Sequence, residues 1–157
     1  RQRQMCIRDR GTVFGGILKA NSKQSKFVLS IRASDIFEIY RVSDDGINRV
    51  YVSPFKHIPK TWKKGGGYAI DYNQSIGGIK NIAVSDDLIC FSLFLQNYNE
   101  AAKTDFASNE LFCFDWDGNK VKKYVLPFPI GNFCIDGTHI YGVRNFEDKI
   151  IIYRFNM

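Results

Sequence analysis

The stretch EIYRVSDDG at residues 38–46 recurs as ELFCFDWDG at residues 110–118. Each copy begins with Glu, continues with four residues of apolar character and ends in an Asp-Gly turn. A second strand-like run follows each copy, RVYV at 49–52 and VKKYV at 121–125. Because Asp-Gly between two such runs is a strong hairpin signal, the sequence predicts the same β-hairpin twice.

A second repeat precedes these hairpins along the chain. The segments NIAVSDDLICF at 81–91 and NFCIDGTHIYG at 132–142 each start with Asn and run through an acidic turn into another strand. The run IYRF at 152–155 then repeats the first strand of the hairpin. The repeating unit therefore has four strands, with the Asp-Gly turn between the third and the fourth.

Four-stranded antiparallel units of roughly 40–50 residues are typical of propeller blades. The sequence predicts one unit over about 13–53, a second over about 79–126 and a third over 132–155 that lacks its fourth strand. The predicted fold is all-β, a partial β-propeller of about two and three-quarter four-stranded antiparallel blades. A β-sandwich with coincidental hairpins is the alternative, because sandwiches also have many short strands with regular turns.

A family resemblance supports the propeller. It rests on the motifs LFCFDWDGN at 111–119, YVLP at 124–127, FCID at 133–136, IYG at 140–142 and IIIYRF at 150–155. Together they resemble the C-terminal end of the TolB-like six-bladed propellers of bacteria, well over 79–157 and loosely over 11–78. The resemblance implies that residues 11–157 form the C-terminal half of one six-bladed propeller. It also implies an exported protein, often a lipoprotein of the cell envelope or periplasm, and it transfers no catalytic residue.

The first ten residues are expected to lie outside the fold. Their last six, MCIRDR, resemble a translated sequencing-library adapter, and such scars are excluded before a fold is argued. A natural basic tail is the alternative. Without residues 1–10 the net charge falls from +6 to +3, which disfavours nucleic acid as a partner. Any signal sequence or lipid anchor is expected upstream of residue 11. Contact with a membrane is expected only through such an anchor.

The cysteines after Cys6 are Cys90, Cys113 and Cys134, each flanked by apolar residues. The chain has no CxxC pair and no His at ligand spacing, so a zinc site is not indicated. The sequence predicts buried free thiols that act as small hydrophobic side chains. No cofactor and no bound metal are expected.

Strand parity assigns the connections to two faces of the predicted propeller. Because antiparallel strands alternate in direction, the long connections 54–78 and 96–108 fall on one face, here called the long-loop face. The tight turns 45–46 and 117–118 fall on the opposite face, here called the turn face. Long loops in a compact domain are usually functional, so the ligand is expected on the long-loop face.

The candidate ligand-binding residues follow from that assignment. The first long loop is basic and aromatic with Gly joints, a composition that suits an anion or a sugar, and an unidentified protein is the other expected partner. The predicted residues are His57, Trp62, Lys63, Lys64 and Tyr68 in the first loop, Tyr98 in the second, and Asn81 and Asn132 nearer the channel. A solvated loop with Trp62 and Tyr68 folded back is the alternative. A helical turn is predicted at 99–103.

The spacing of the His, Ser, Cys and Asp residues does not indicate a catalytic site. The two histidines, His57 and His139, form no Ser-His-Asp or Cys-His arrangement with other residues. The predicted function is therefore non-catalytic binding or scaffolding. The alternative is a lactonase-like propeller hydrolase with a divalent metal at the channel mouth. Asn81 and Asn132 would hold such an ion poorly, because no acidic ligands accompany them. Hydrogen bonding within the repeat explains the presence of Asn at these positions equally well.

Overall fold

A computed structural model of the chain describes most of the predicted propeller. The described residues are 15–21, 23–54, 57–65, 67–147 and 149–157. The segment 1–10, interpreted as a translated adapter, lies outside the described residues, and its interpretation stays a prediction.

The regular secondary structure of the described residues is almost entirely β-strand. The strands are β1 Leu18–Asn21, β2 Lys26–Ser30, β3 Phe37–Ser43, β4 Gly46–Val52, β5 Thr61–Lys64, β6 Gly67–Ile70, β7 Ile76–Val84, β8 Leu88–Asn97, β9 Ser108–Asp115, β10 Lys120–Ile130, β11 Asn132–Ile135, β12 His139–Phe146 and β13 Lys149–Asn156. One short helix, α1, spans Tyr98–Ala102. In the part of the chain that is described, no helix has the length and hydropathy to cross a bilayer.

The strands form the predicted blades. Blade 1 is the sheet β1-β2-β3-β4, blade 2 is β7-β8-β9-β10 and blade 3 is the three-stranded sheet β11-β12-β13. Every pairing within them is antiparallel. The partial propeller and the missing fourth strand of the third blade are thus confirmed, and the sheets do not close into a ring. The hairpin β5-β6, inside the connection 54–78, was not predicted.

The Asp-Gly turns close the hairpins that the repeat predicts. Gly46 and Gly118 have φ of +121° and +89°, a region that suits Gly because it has no Cβ. In blade 2 the Asp115 carboxylate accepts hydrogen bonds from the backbone N–H groups of Asp117 and Asn119, both at 2.9 Å. The Asp115 carboxylate therefore stabilises the turn itself.

Two apolar layers hold the blades together. The layer between blades 1 and 2 contains the following side chains: Val28, Phe37, Ile39, Ile79, Ile82, Ile89, Phe91, Phe114 and Trp116. Trp116 belongs to the second Asp-Gly turn but is buried, and its Nε1–H donates to the Ser85 carbonyl at 3.1 Å. The turn residue is therefore part of the core between two blades.

The layer between blades 2 and 3 contains two of the three cysteines, and their state differs from the prediction. It contains Leu111, Leu126 and Ile130 of blade 2 packed against blade 3. Within it Cys90 and Cys113 form a disulfide between directly paired positions of β8 and β9. Cys134 is a free thiol and is exposed. The prediction of buried free thiols is therefore wrong, because antiparallel pairing brings two of them together across neighbouring strands.

Because blades pack face to face, the repeat also predicts a core, and most of its predicted residues are covered. The predicted core residues are Tyr40, Val42, Val84, Ile89, Phe91, Phe112, Phe114, Ile135, Tyr141, Ile151 and Tyr153. Ile89, Phe91, Phe114 and Ile135 are buried, and the partly buried ones are Tyr40, Val84, Phe112, Tyr141, Ile151 and Tyr153. Val42 is 47% exposed, so this prediction is wrong. The residue lies on the face of blade 1 turned away from blade 2. On blade 3, Ile150 and Ile152 are exposed as well, so each flank of the three-blade unit has an uncovered apolar face.

Polar contacts on the turn face also join blades 1 and 2. The Asn21 side-chain amide donates to the Asp86 carbonyl at 2.8 Å. The buried Lys26 ammonium donates to the Trp116 carbonyl at 3.1 Å and lies 2.8 Å from the Asp117 carboxylate. The polar groups of this face are thus used in holding one blade to the next.

The acidic turn of blade 3 gives a pH-dependent prediction. The N–H groups of Thr138 and His139 donate to Asp136 at 2.8 and 2.7 Å and hold the pKa of its carboxyl well below the usual range. Such a carboxylate stabilises the fold above its unfolded pKa of about 4, and that contribution is lost as pH falls through the folded pKa. Asp136→Asn should therefore lower Tm at pH 7, and the Tm gap should shrink steadily below about pH 4.

The control for this prediction is Asp87→Asn, an exposed acid in the corresponding turn of blade 2. Thermal unfolding followed by circular dichroism between pH 7 and pH 2 gives both Tm gaps. A gap for Asp136→Asn that is constant over this range would contradict the assigned role of the carboxylate.

Candidate binding face

The two long connections meet on the long-loop face. The N–H of Tyr98 donates to the Ser75 carbonyl at 2.9 Å, and the Asn97 side-chain amide donates to the Asn73 carbonyl at 2.6 Å. The rings of Tyr72 and Tyr98 contact each other in a tilted arrangement, with centroids 4.2 Å apart and an interplanar angle of 36°. Strand parity predicts this juxtaposition, and the contacts join the two connections into one ordered surface.

The hairpin β5-β6 projects from this surface on an anchored base. The N–H of Lys60 donates to Ser75 Oγ at 3.0 Å, and the N–H of Asp71 donates to the Lys60 carbonyl at 2.8 Å. Ile70, the last residue of β6, is buried. The hairpin is therefore tied to the blades at its open end, and its Gly-rich turn is at the tip.

The structure separates the aromatic residues predicted in this loop. Trp62 pairs with Ala69 and Lys63 with Tyr68. Directly paired residues share a face of a sheet, so Trp62 and Tyr68 lie on opposite faces of the hairpin. They are 50% and 40% exposed, so neither is folded into the core, and a single small ligand would not contact both. Lys64 is the last residue of β5 and pairs with Gly67.

His57 precedes the hairpin along the chain and is held by blade 1. Its backbone N–H donates to Asp35 Oδ1 at 3.1 Å, and its Nδ1 lies 3.0 Å from Asp35 Oδ2. The hydroxyl of Ser34 donates to the His57 carbonyl at 2.7 Å. These contacts fix the start of the long connection against the loop between β2 and β3, which gives His57 a structural role.

Tyr98 begins α1, one residue before the predicted helical turn. The Asn97 side chain caps the helix by accepting from the N–H of Asn99 at 2.9 Å. The half-buried Tyr98 ring also packs edge-on against Phe106, with centroids 5.0 Å apart. Burial, with a smaller contribution from Tyr72, raises the pKa of the Tyr98 hydroxyl, whereas Arg32 opposes this shift.

The two predicted asparagines differ in their strand positions and in their partners. The Asn81 amide donates to the Phe133 carbonyl of blade 3 at 3.2 Å, which is the hydrogen-bonding role considered as the alternative. Asn81 lies within β7, since that strand begins at Ile76, whereas Asn132 is the first residue of β11. Asn132 is exposed and lines a cleft beside blade 3.

Two clefts open where neighbouring blades meet. The one between blades 1 and 2, here called the basic cleft, has a volume of about 350 Å³. Its lining residues are Gly16, Ile17, Ser30, Arg32, Ala33, Gly77, Ile79, Lys80 and Tyr98. The second cleft, of about 420 Å³, lies beside Asn132 and includes Lys103, Asp105 and Arg144. Of the residues predicted from sequence, only Tyr98 lines the basic cleft and only Asn132 lines the second.

Sequence reasoning missed Arg32 and Lys80. The signals were present: Arg32 follows β2 at its long-loop end, and Lys80 directly precedes Asn81 in β7. Their proximity depends on the approach of blade 1 to blade 2, where Arg32 forms a bridge to Gly78. The spacing of these residues in the sequence does not encode that approach.

The described residues contain no group of three or more His, Cys, Asp or Glu side chains that could hold a metal ion. The Asn81 amide, placed near a channel-mouth metal in the hydrolase hypothesis, is already bonded to a neighbouring blade. No observation in the described part of the chain favours the hydrolase over the binding role.

Comparison with known proteins bears on the fold. A sequence-family model described as TolB-like 6-blade propeller-like matches residues 17–138. No curated protein and no solved structure shows a significant match to the chain. The matched region includes blades 1 and 2 and reaches the turn between β11 and β12 of blade 3, so it agrees with the observed blade order.

Proposed function

Because the chain belongs to the TolB-like six-bladed propeller family, we propose that it is a non-catalytic binding or scaffolding propeller of the bacterial cell envelope. The family suggests a binding or scaffold role. Its ligand, an envelope glycan or a protein, binds on the long-loop face. This extended ligand contacts Trp62 on one face of the hairpin, Lys63 and Tyr68 on the other face, and Tyr98 of the second long connection.

The observation that carries this proposal is the difference between the two faces. On the turn face the connections are tight, and groups such as Asn21 and Lys26 are used in holding blades 1 and 2 together. On the long-loop face a hairpin with a half-exposed Trp62 rises above an ordered surface. Exposed aromatic side chains on a rigid support are the typical anchors of binding sites.

The disulfide supports the proposed location. Structural disulfides persist in oxidising compartments such as the bacterial periplasm and are rare in the cytosol. The Cys90–Cys113 pair is fully buried between blades 2 and 3, so its role is structural. The family is associated with the bacterial periplasm, and the two observations point to the same compartment.

Trp62→Ala tests the proposed face. The probes are a panel of soluble bacterial envelope polysaccharides and muropeptides, titrated by calorimetry and by tryptophan fluorescence. Because Trp116 is buried and Trp62 is half-exposed, ligand binding should change mainly the Trp62 emission. Loss of a well-placed aromatic anchor typically costs 2 kcal/mol or more, so we expect Trp62→Ala to weaken binding by about 30-fold or more with little change in Tm.

The matched control is Ile47→Ala, a 64% exposed apolar residue beside the Asp-Gly turn of blade 1. It should leave binding unchanged. Tyr98→Ala is a poor test, since Tyr98 supports Tyr72 and Phe106 and its removal would disturb the surface itself. Binding that survives Trp62→Ala but is lost in Ile47→Ala would place the ligand on the turn face and contradict the proposal, as would a panel in which no probe binds.

A further inference from the structure

We infer that the basic cleft between blades 1 and 2 binds an acidic sugar, through its carboxylate or phosphate group. The anion-binding residues are Arg32 and Lys80, and Tyr98 supplies the wall and a hydroxyl. This inference deepens the proposed function and rests on it for the choice of the long-loop face.

The cleft is built on rigid elements. Arg32 forms a backbone bridge to Gly78, its N–H donates to the Gly15 carbonyl at 3.1 Å, and the N–H of Ile79 donates to the Ser34 carbonyl at 3.0 Å. Gly78 has φ of +70°, and a Cβ there would lie 2.3 Å from the Ser34 backbone nitrogen. Only Gly allows this close approach, which fixes Arg32 of blade 1 beside the strand that carries Lys80.

The charges in the cleft are of one sign. Its lining contains Arg32 and Lys80 and no Asp or Glu. Within the described part of the chain, neither cation has a carboxylate within 4.0 Å. The Lys80 ammonium lies 4.1 Å from the centre of the Phe106 ring, which holds it near the cleft. Arg32 lies close enough to Tyr98 to act on the pKa of its hydroxyl. Two cations without acidic partners attract an anion and form charge-assisted hydrogen bonds with it.

The second cleft provides a contrast. There the Lys103 ammonium is paired with Glu100 at 2.7 Å, and the lining includes Asp105. The Arg144 guanidinium lies 5.9 Å from the centre of the Phe128 ring. Opposite charges on and beside this lining offset one another, so the basic cleft is the better anion site of the two.

Size and lining define the ligand class. A volume of about 350 Å³ lies near the lower end of the range for small-molecule sites, which suits a single sugar ring with one charged group. The remaining walls combine a Tyr ring with Ile17, Ile79 and backbone, a mixed apolar and polar surface. A uronate carboxylate and a sugar phosphate share the anionic chemistry that Arg32 and Lys80 would recognise.

The test compares glucuronate, glucose 1-phosphate and neutral glucose by calorimetry on the 157-residue chain at low salt. We expect both acids to bind at least tenfold more tightly than glucose, and their affinity to fall as NaCl is raised. Hydrogen bonds to charged groups are worth roughly 1.5–3 kcal/mol, or about 10- to 150-fold in affinity. Arg32→Gln with Lys80→Gln should therefore remove the preference for the acids, while Tyr98→Phe should weaken binding only a few-fold.

The matched control is Lys122→Gln, an exposed lysine over the Tyr124 ring in the outer strand of blade 2. It should leave all three affinities unchanged, and each variant should keep the Tm of the unmodified chain. Glucose binding as tightly as the acids, or acids binding equally well to the Arg32 and Lys80 double variant, would overturn the inference. If the envelope panel still binds through Trp62 in that case, the proposed function stands and only the acidic-sugar site fails.

Discussion

Replacing Phe37 by Ala is expected to lower the free energy of unfolding by about 3–5 kcal/mol. Phe37 is 2% exposed and lies in β3 at the centre of the layer between blades 1 and 2. Its ring centre is 5.1 Å from that of Phe91, 5.0 Å from that of Phe114 and 5.5 Å from that of Tyr51. Truncation removes these contacts and leaves a cavity between two sheets that cannot readily close it.

The control residue lies in the same strand. Val42 is 47% exposed on the opposite face of β3, so Val42→Ala should cost less than about 1 kcal/mol. Urea unfolding followed by circular dichroism measures both changes. Phe37→Leu should fall between the two, since it keeps most of the buried volume. A cost for Phe37→Ala no larger than that for Val42→Ala would mean that blades 1 and 2 do not pack through this face.

The blade order was predictable because it depends on local patterns. A hairpin with an Asp-Gly turn needs only the turn residues and the flanking strands, and both copies of this motif are visible in the sequence. Alternation of strand direction then assigns each connection to a face. For this reason the placement of the connections 54–78 and 96–108 on one face follows from counting strands, whereas the contact between Tyr72 and Tyr98 required the structure.

The hairpin β5-β6 was not predictable from the same patterns. Its first strand, TWKK, has no apolar alternation, and its turn lies in a run of three Gly residues. The hairpin is held at its base by Lys60, Ser75 and Asp71, contacts between the two ends of the connection that no local sequence pattern indicates. The separation of Trp62 from Tyr68 therefore required the structure.

The basic cleft was missed for a related reason. Arg32 and Lys80 are 48 positions apart in the sequence and approach each other only because a loop of blade 1 crosses β7 at Gly78. The sequence indicated long loops as candidates, but in the structure these loops mostly bind one another. Two cations with no described carboxylate within 4.0 Å, Arg32 and Lys80, lie instead where the two blades meet.

Removal of the disulfide by the double change Cys90→Ala and Cys113→Ala is expected to lower the free energy of unfolding by about 3 kcal/mol. The bridge links residues 23 positions apart. It therefore restricts the conformations that the unfolded chain can adopt between Cys90 and Cys113. Both cysteines are buried in the layer between blades 2 and 3, so the loss of two sulfur atoms also weakens packing there.

Urea unfolding with and without dithiothreitol measures this effect. The unmodified chain in reductant should become nearly as unstable as the double variant, whereas the double variant should not respond to reductant. Cys134→Ala is the control, because Cys134 is an exposed free thiol and its removal should change stability by less than about 0.5 kcal/mol. In denaturant without reductant, Cys90 and Cys113 should resist alkylation.

The same experiment bears on the proposed location. A bridge worth about 3 kcal/mol is a large fraction of the 5–15 kcal/mol stability of an ordinary domain. A chain kept reduced in the cytosol would lose that contribution, so strong dependence on the disulfide requires folding in an oxidising compartment. Conversely, if Cys90 and Cys113 are alkylated without reductant and the double variant is as stable as the unmodified chain, they are the free thiols that their apolar neighbours first suggested. The disulfide would then give no support to a periplasmic location.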